Sequence, residues 1–171
     1  MILRVIGGAL VCASCALLGL YVGDKGLRRG ALLQELQRTL LMLKSEIEYA
    51  LYPLPQALKK VSERAEKPFA EFYSSVSTQL ASKEMSMAEA WATNTALLGQ
   101  TQLHNEDLVV LDNVGRALGS IDVAVQTSAI DLAIVDLEHK IKRLDEENAK
   151  NVKMYRGLGI LGGLLITVVL L

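Results

Sequence analysis

The residues that most often carry chemistry are few in this sequence, and they lie far apart. Cys12 and Cys15 have the C-x-x-C spacing of metal and redox sites, but both lie in an apolar segment without His, Asp or Glu beside them. We therefore interpret these two cysteines as small packing residues. His104 and His139 are the only histidines, and neither has a second ligand at a zinc-binding spacing.

Other arrangements that support catalysis are also lacking in the sequence. The glycine pairs at 7–8 and 162–163 lie in uncharged segments and belong to no phosphate-binding loop. No serine stands in a nucleophile elbow. Adjacent carboxylates such as Glu146 and Glu147 point to different sides of a helix and cannot act on one substrate. The sequence therefore predicts a binding protein, not an enzyme, with no cofactor and no metal.

Charge is confined to the middle of the chain. The formal net charge is -1, and every charged residue except Arg4 lies between Asp24 and Arg156. The first uncharged run has about 19 residues, close to the length that crosses a bilayer as a helix, and the last has about 15, a deficit that local thinning of the bilayer accommodates. We predict a transmembrane helix at 1–23, a helical domain with a juxtamembrane stalk at 24–156, and a second transmembrane helix at 157–171.

Basic residues flank both apolar runs on the side that faces the middle of the chain. They are Lys25, Arg28, Arg29, Lys150, Lys153 and Arg156. The positive-inside rule therefore predicts a protein of the cell (inner) membrane with its helical domain in the cytoplasm and both termini across the membrane. Between the anchors the charges nearly cancel, so the membrane is an expected partner and nucleic acid is not.

Alternative interpretations of the two apolar runs remain. Residues 13–15 resemble the end of a lipobox, although Cys12 stands where leucine is usual and the apolar run continues through Val22. A cleaved secretory signal has the same difficulty. The C-terminal run could also be a buried core helix or a helix in the membrane plane, although it has no polar face.

Helical periodicity dominates the middle of the chain, and prolines divide its first half. An apolar stripe predicts a first helix that ends near Tyr52. Pro55 opens a second helix that extends to about Glu66, and Pro68 opens a third, followed by a loop at 81–85. The predicted stripe of the first helix consists of Leu27, Ala31, Leu32, Leu36, Leu40, Leu43, Ile47 and Ala50.

Capping residues divide the second half. Ser86 and Glu89 have capping-box spacing for a fourth helix, and Asn105 is the predicted N-cap of a fifth that ends at Gly119. Ser120 or Asp122 then caps a sixth helix without a breaker before Gly157. The sequence predicts an all-α six-helix bundle whose two long helices continue into N- and C-terminal transmembrane anchors.

The chain resembles the stage III sporulation protein AB family over nearly its whole length. The resemblance is carried by residues 46–49, 53–58 and 89–91, then by Leu118-Gly119 and by 154–159 at the start of the C-terminal run. One position departs from the family pattern, because Ile121 separates Ser120 from Asp122 where an adjacent Ser-Asp pair is expected.

The resemblance implies a membrane component of the channel complex that joins mother cell and forespore. It also implies a helical domain similar to the platform protein of type II secretion and type IV pilus systems. The implied partners are a cytoplasmic secretion-type ATPase and the other membrane subunits of the stage III sporulation AA–AH complex. By this analogy the residues expected to bind partners are Glu46, Glu48, Tyr49, Arg116 and Asp122.

Purely structural interpretations compete with this docking hypothesis. Tyr49 could only pack against Pro53, and Glu46 could simply pair with an arginine such as Arg116. The whole protein could also be a scaffold that binds neighbouring channel subunits and itself through the polar stretch 145–153, without contact to an ATPase.

Overall fold

The structure, a computed structural model, describes residues 27–83 and 85–170, with side chains as far as Lys150. In this part of the chain there are six helices and no strand. Helix α1 covers 27–48, and the others are α2 (Leu54–Ser62), α3 (Phe69–Ser82), α4 (Met87–Leu98), α5 (Asn105–Leu118) and α6 (Val123–Leu170). The all-α, six-helix prediction is confirmed.

Two compact units divide the chain, one comprising Met1–Gly30 with Lys142–Leu171 and the other Ala31–Ile141. The predicted anchor at 1–23 lies outside the described residues, and the one at 157–171 lies where only the helical backbone is described. Among the described residues, no helix has the length and apolar character needed to cross a membrane. The domain boundaries at 23/24 and 156/157 stay predictions.

The end of α1 lies before the predicted Tyr52. The N–H groups of Tyr49 and Ala50 both donate to the Ser45 carbonyl, which widens the last turn. Leu51 then takes a φ of 52°, in the left-handed region that an α-helix cannot continue through. Helix α2 likewise ends at Ser62, before the predicted Glu66, whereas α3 extends into the predicted loop and ends where Lys83 takes a φ of 59°.

The structure confirms the predicted capping box of α4 and moves the predicted N-cap of α5 by one residue. The capping box of α4 is present, because the Ser86 hydroxyl accepts from the Glu89 N–H at 3.3 Å and the Glu89 carboxylate accepts from the Ser86 N–H at 2.9 Å. The Ser86 hydroxyl also donates to the Glu89 carboxylate at 2.7 Å, and this bond, followed by the one from the Ser86 N–H, holds the pKa of Glu89 below its ordinary value. The predicted Asn105 cap of α5 is wrong by one residue. The cap is His104, whose N–H donates to the Asp107 carboxylate at 2.9 Å.

The core of the Ala31–Ile141 unit is an apolar stripe of α1 and an aromatic cluster. The stripe is buried at Leu33, Leu36, Leu40, Leu43 and Ile47, whereas the predicted members Leu27, Ala31 and Ala50 are exposed. The buried stripe therefore begins at Leu33, and its members recur every three or four residues.

Three aromatic rings join α3 to α4. Phe72 packs edge-to-face against Tyr73 and Trp91, with centroid distances of 5.1 and 4.9 Å. The Trp91 indole N–H donates to the Leu111 carbonyl at 2.8 Å and so ties the cluster to α5. This contact requires Gly115, because a Cβ there would lie 2.1 Å from Trp91 Cδ1.

Candidate functional site

One end of the bundle carries an exposed apolar surface where the α1–α2 loop meets the start of α6. A shallow cavity of about 210 Å³ lies there, lined by Ile47, Leu51, Tyr52, Leu54, Val123 and Gln126. We call the exposed side chains around it the tip surface: Tyr49, Leu51, Tyr52, Ile121 and Val123. The α1–α2 loop presents the first three, and the α5–α6 corner with the first residue of α6 presents the last two.

The tip surface exposes large side chains that a folded core would normally take up. Tyr49 is 78% exposed, Leu51 is 73% exposed and Ile121 is fully exposed. Leu51 points outward because its left-handed backbone turns the chain before Pro53. A contiguous group of exposed aliphatic and aromatic side chains is typical of a protein-binding surface.

Glu46 lies beneath this surface and already has partners within the chain. Its carboxylate lies 3.6 Å from the Arg64 guanidinium and 3.9 Å from the Lys60 ammonium. The Lys60 ammonium also lies 3.8 Å from the centre of the Tyr52 ring, a cation–π contact. Glu46 therefore pairs with Lys60 of α2 and with Arg64, which follows α2. These contacts take the place of the suggested pairing with Arg116. Its contact joins α1 to α2.

Glu48 belongs to a second ionic group, between α1 and α6. The Lys44 ammonium lies 2.7 Å from both Asp131 carboxylate oxygens and 3.8 Å from Glu48. The hydrogen bond to Asp131 raises the pKa of Lys44. Glu48 and Tyr49 are both exposed and point to solvent at the end of α1.

Asp122 and Arg116 lie at the α5–α6 corner. The Asp122 carboxylate accepts from the Ala124 N–H at 2.8 Å, so Asp122 caps α6 and the Ser120 alternative is not needed. Gln126 fixes the corner by donating to the Leu118 and Ser120 carbonyls at 3.1 and 2.6 Å. Arg116 is exposed in the last turn of α5.

The structure thus brings the five predicted residues to one end of the bundle, although in different roles. Glu46, Glu48 and Asp122 contact groups within the chain, and all of the five except Glu46 are exposed. Sequence reasoning missed Leu51 and Ile121. The available signal was an apolar run interrupted by prolines at 49–55, in which the side chains cannot all face a core. Within the described residues, no three His, Cys, Asp or Glu side chains form a group suited to a metal.

Comparisons with known proteins agree on one family. The model of the stage III sporulation protein AB family matches residues 4–171. Stage III sporulation protein AB of Bacillus subtilis (strain 168) is 28% identical over 170 residues, which cover 99% of each chain.

A solved structure of a stage III sporulation protein AB is similar in fold. It superposes with a TM-score of 0.65 at 25% identity and covers 71% of this chain and 97% of its own. The family match, the sequence relative and the shared fold together show that this chain belongs to the stage III sporulation protein AB family.

Proposed function

We propose that this chain is a membrane-anchored assembly component of the sporulation mother cell–forespore channel, and that its tip surface docks a cytoplasmic secretion-type ATPase. Membership of the stage III sporulation protein AB family supports a role in the sporulation complex. The observation that carries the docking step is the exposure of Tyr49, Leu51 and Ile121 at one end of the bundle. The proposed role is binding and assembly, without catalysis or a cofactor.

The position of the tip surface along the chain fits this proposal. It lies at the C-terminal end of α1 and the N-terminal end of α6, and the predicted anchors lie beyond the opposite ends of the same two helices. The residues that form the tip surface are therefore separated in sequence from both predicted anchors. Glu48 and Arg116 would contribute rim charges, which influence association rate more than affinity.

Aspartate substitutions on the tip surface test the docking step. Leu51→Asp with Ile121→Asp in the full chain should lower co-purification of the ATPase at least tenfold, because two desolvated apolar contacts are lost. Glu48→Lys with Asp122→Lys should weaken association further at low salt. Undiminished ATPase retention by both variants would refute docking at the tip.

A matched control is available on α4. Leu97 is 61% exposed and lies outside the tip surface, so Leu97→Asp should leave ATPase association unchanged. Far-UV circular dichroism of each variant separates a lost contact from a lost fold.

Membrane topology has its own test, by cysteine accessibility in intact cells. Both native cysteines are removed, and single cysteines are placed at Ser82 and after Leu171. An impermeant thiol reagent should label only the C-terminal site if the helical domain is cytoplasmic. Labelling at Ser82 would place the domain outside and exclude a cytoplasmic ATPase as partner.

A scaffold that binds only channel subunits and itself is the second candidate. It is favoured by the internal pairing of Glu46 and by the polar residues of α6 after Leu144, of which Asp145, Glu146, Glu147 and Lys150 are exposed. Self-association in membranes without ATPase retention would support it.

A further inference from the structure

Leu51, between α1 and α2, has an unfavourable backbone conformation and a side chain that the fold hardly buries. Its φ of 52° lies in the left-handed region, where the Cβ of an L-residue crowds the carbonyl oxygen that follows. Its aliphatic side chain is 73% exposed. The folded protein therefore keeps Leu51 in a strained conformation and gains little burial from its side chain.

Contacts within the chain account for the turn at residue 51 but not for the leucine. The Tyr52 N–H donates to the Glu46 carbonyl at 3.3 Å, so the chain turns tightly around Leu51 after the end of α1. A left-handed residue that ends a helix is usually glycine. Glycine would allow the same backbone bond without the steric strain of a Cβ. The turn alone therefore does not explain a leucine at this position.

Lys83 is the other non-glycine residue with a positive φ among the described residues, and its side chain is of a different kind. It has a φ of 59° at the end of α3, and its N–H donates to the Leu80 carbonyl at 3.2 Å. A lysine ammonium is well hydrated at an exposed turn, whereas a leucine side chain is not. A positive φ alone therefore does not indicate a binding residue. Its combination with an exposed aliphatic side chain at the tip surface does.

The backbone on both sides of Leu51 restricts how its side chain can move. The last turn of α1 precedes it, with the Tyr49 and Ala50 N–H groups bonded to the Ser45 carbonyl. Pro53 follows two residues later, and its ring fixes φ, here at -52°. A side chain that is already held in its binding orientation loses less conformational entropy on association. This gain on binding is a physical reason to retain the strain.

We propose that Leu51 is the anchor residue of the tip surface, held outward by its strained backbone so that its side chain enters an apolar pocket of the docked partner. This inference rests on the proposed function, under which that partner is the ATPase. It adds that the partner surface is concave and apolar at the point of contact. A projecting aliphatic side chain buried in a pocket contributes more to affinity than the contacts around it.

Two glycine substitutions in the full chain, purified in detergent, separate strain from binding. Leu51→Gly and Lys83→Gly each relieve a left-handed residue, so each should raise Tm by about 1–3 °C. Only Leu51→Gly should lower co-purification of the ATPase, by about tenfold, because only this change removes an aliphatic side chain from the tip surface. A lower Tm for Leu51→Gly would overturn the proposal, because the side chain would then be needed for the fold.

Two further substitutions change the side chain at position 51 and keep the strained backbone. Leu51→Ala should also lower ATPase retention about tenfold, whereas Leu51→Met keeps a long apolar side chain and should remain within about twofold of the wild type. Full retention by Leu51→Gly and Leu51→Ala would overturn the anchor role. If Ile121→Asp still abolished retention in that case, docking at the tip surface would stand without Leu51 as its anchor.

Spore formation distinguishes failure of this inference from failure of the proposed function. If the wild-type chain retains no ATPase, the proposed function fails, and the anchor role is judged in sporulating cells. Leu51→Gly should then lower the number of heat-resistant spores about tenfold, as expected for loss of a binding contact, and Lys83→Gly should leave it unchanged. Equal spore counts for the two variants would overturn the anchor role.

Discussion

Single residues in this bundle do more than fill space, and Gly115 is the clearest case. It leaves room for the Trp91 ring, whose indole N–H bonds to the α5 backbone at the Leu111 carbonyl. Helix propensity alone would favour alanine at position 115. A Cβ at position 115 would collide with the Trp91 ring, so the packing of α4 against α5 requires glycine there.

Gly115→Ala should therefore destabilise the protein by about 2–4 kcal/mol, through overpacking and loss of the indole hydrogen bond. Urea unfolding followed by circular dichroism measures the change. Gly119→Ala is the control, because its φ is -71° and its nearest atom would be 3.4 Å away. An unchanged midpoint for Gly115→Ala would show that Trp91 can move aside.

Glu35 is the residue that should make stability depend on pH. Arg38 donates to both of its carboxylate oxygens at 2.7 Å, and the Glu66 N–H donates at 2.7 Å. The Arg38 hydrogen bonds hold the pKa of Glu35 below its ordinary value. Because the folded-state pKa is lowered, the stabilisation is present above the ordinary pKa near 4.5 and is lost as pH falls below it.

Glu35→Gln should cost about 1.5–3 kcal/mol at pH 7, and the difference from the wild type should shrink between about pH 5 and pH 3. Unfolding free energies across this range measure it. Glu71→Gln, which removes an exposed ion pair with Lys67, should change stability by less than about 0.5 kcal/mol at any of these pH values. A constant difference across the range would show that Glu35 is not the titrating group.

Helices α5 and α6 are held together by polar contacts as well as apolar ones. The Lys140 ammonium lies 3.5 Å from the carboxylate of Asp107, which is completely buried at the start of α5. Asp107 also accepts the His104 N–H, so one buried carboxylate both caps α5 and joins it to α6. Removing one member of a buried pair is costly, because the other charge stays buried with one partner fewer.

Lys140→Met should therefore destabilise the protein by about 3 kcal/mol. The double variant Asp107→Asn with Lys140→Met should lose less than the sum of the two single changes, because the contact between the two groups is already lost in each single variant. A double-mutant cycle on unfolding free energies measures this coupling. Strict additivity would show that the two groups do not interact in solution.

For the molecule as a whole, the compact unit Ala31–Ile141 should fold without the predicted anchors. A fragment of residues 28–151 contains the complete apolar stripe of α1 and the aromatic cluster. The solved relative supports this, since 97% of that chain aligns with 71% of this one. We expect a soluble, helical monomer that unfolds cooperatively, as judged by size-exclusion chromatography and circular dichroism. Aggregation or gradual unfolding would show that the anchors are needed for folding.

The sequence by itself determined the helices and the family. Helix ends depend on local chemistry such as the prolines at 53 and 55 and the capping box at Ser86, and most were predicted within a few residues. The apolar stripe of α1 was predicted correctly from Leu36 to Ile47 because its spacing follows the helix period. These features depend on residues that are close together in the chain, and the sequence shows directly which residues those are.

Only the tertiary structure decided which residues meet and which remain exposed. Sequence spacing could not pair Glu46 with Arg64 or show that Gly115 faces Trp91, because such contacts depend on how separate helices pack. Nor could it show that Leu51 and Leu132 are exposed, since apolar residues at helical spacing predict a buried face. The proposed docking at the tip surface rests on exposed side chains. Whether a side chain is exposed depends on the helices that pack around it, and the tertiary structure alone shows how they pack.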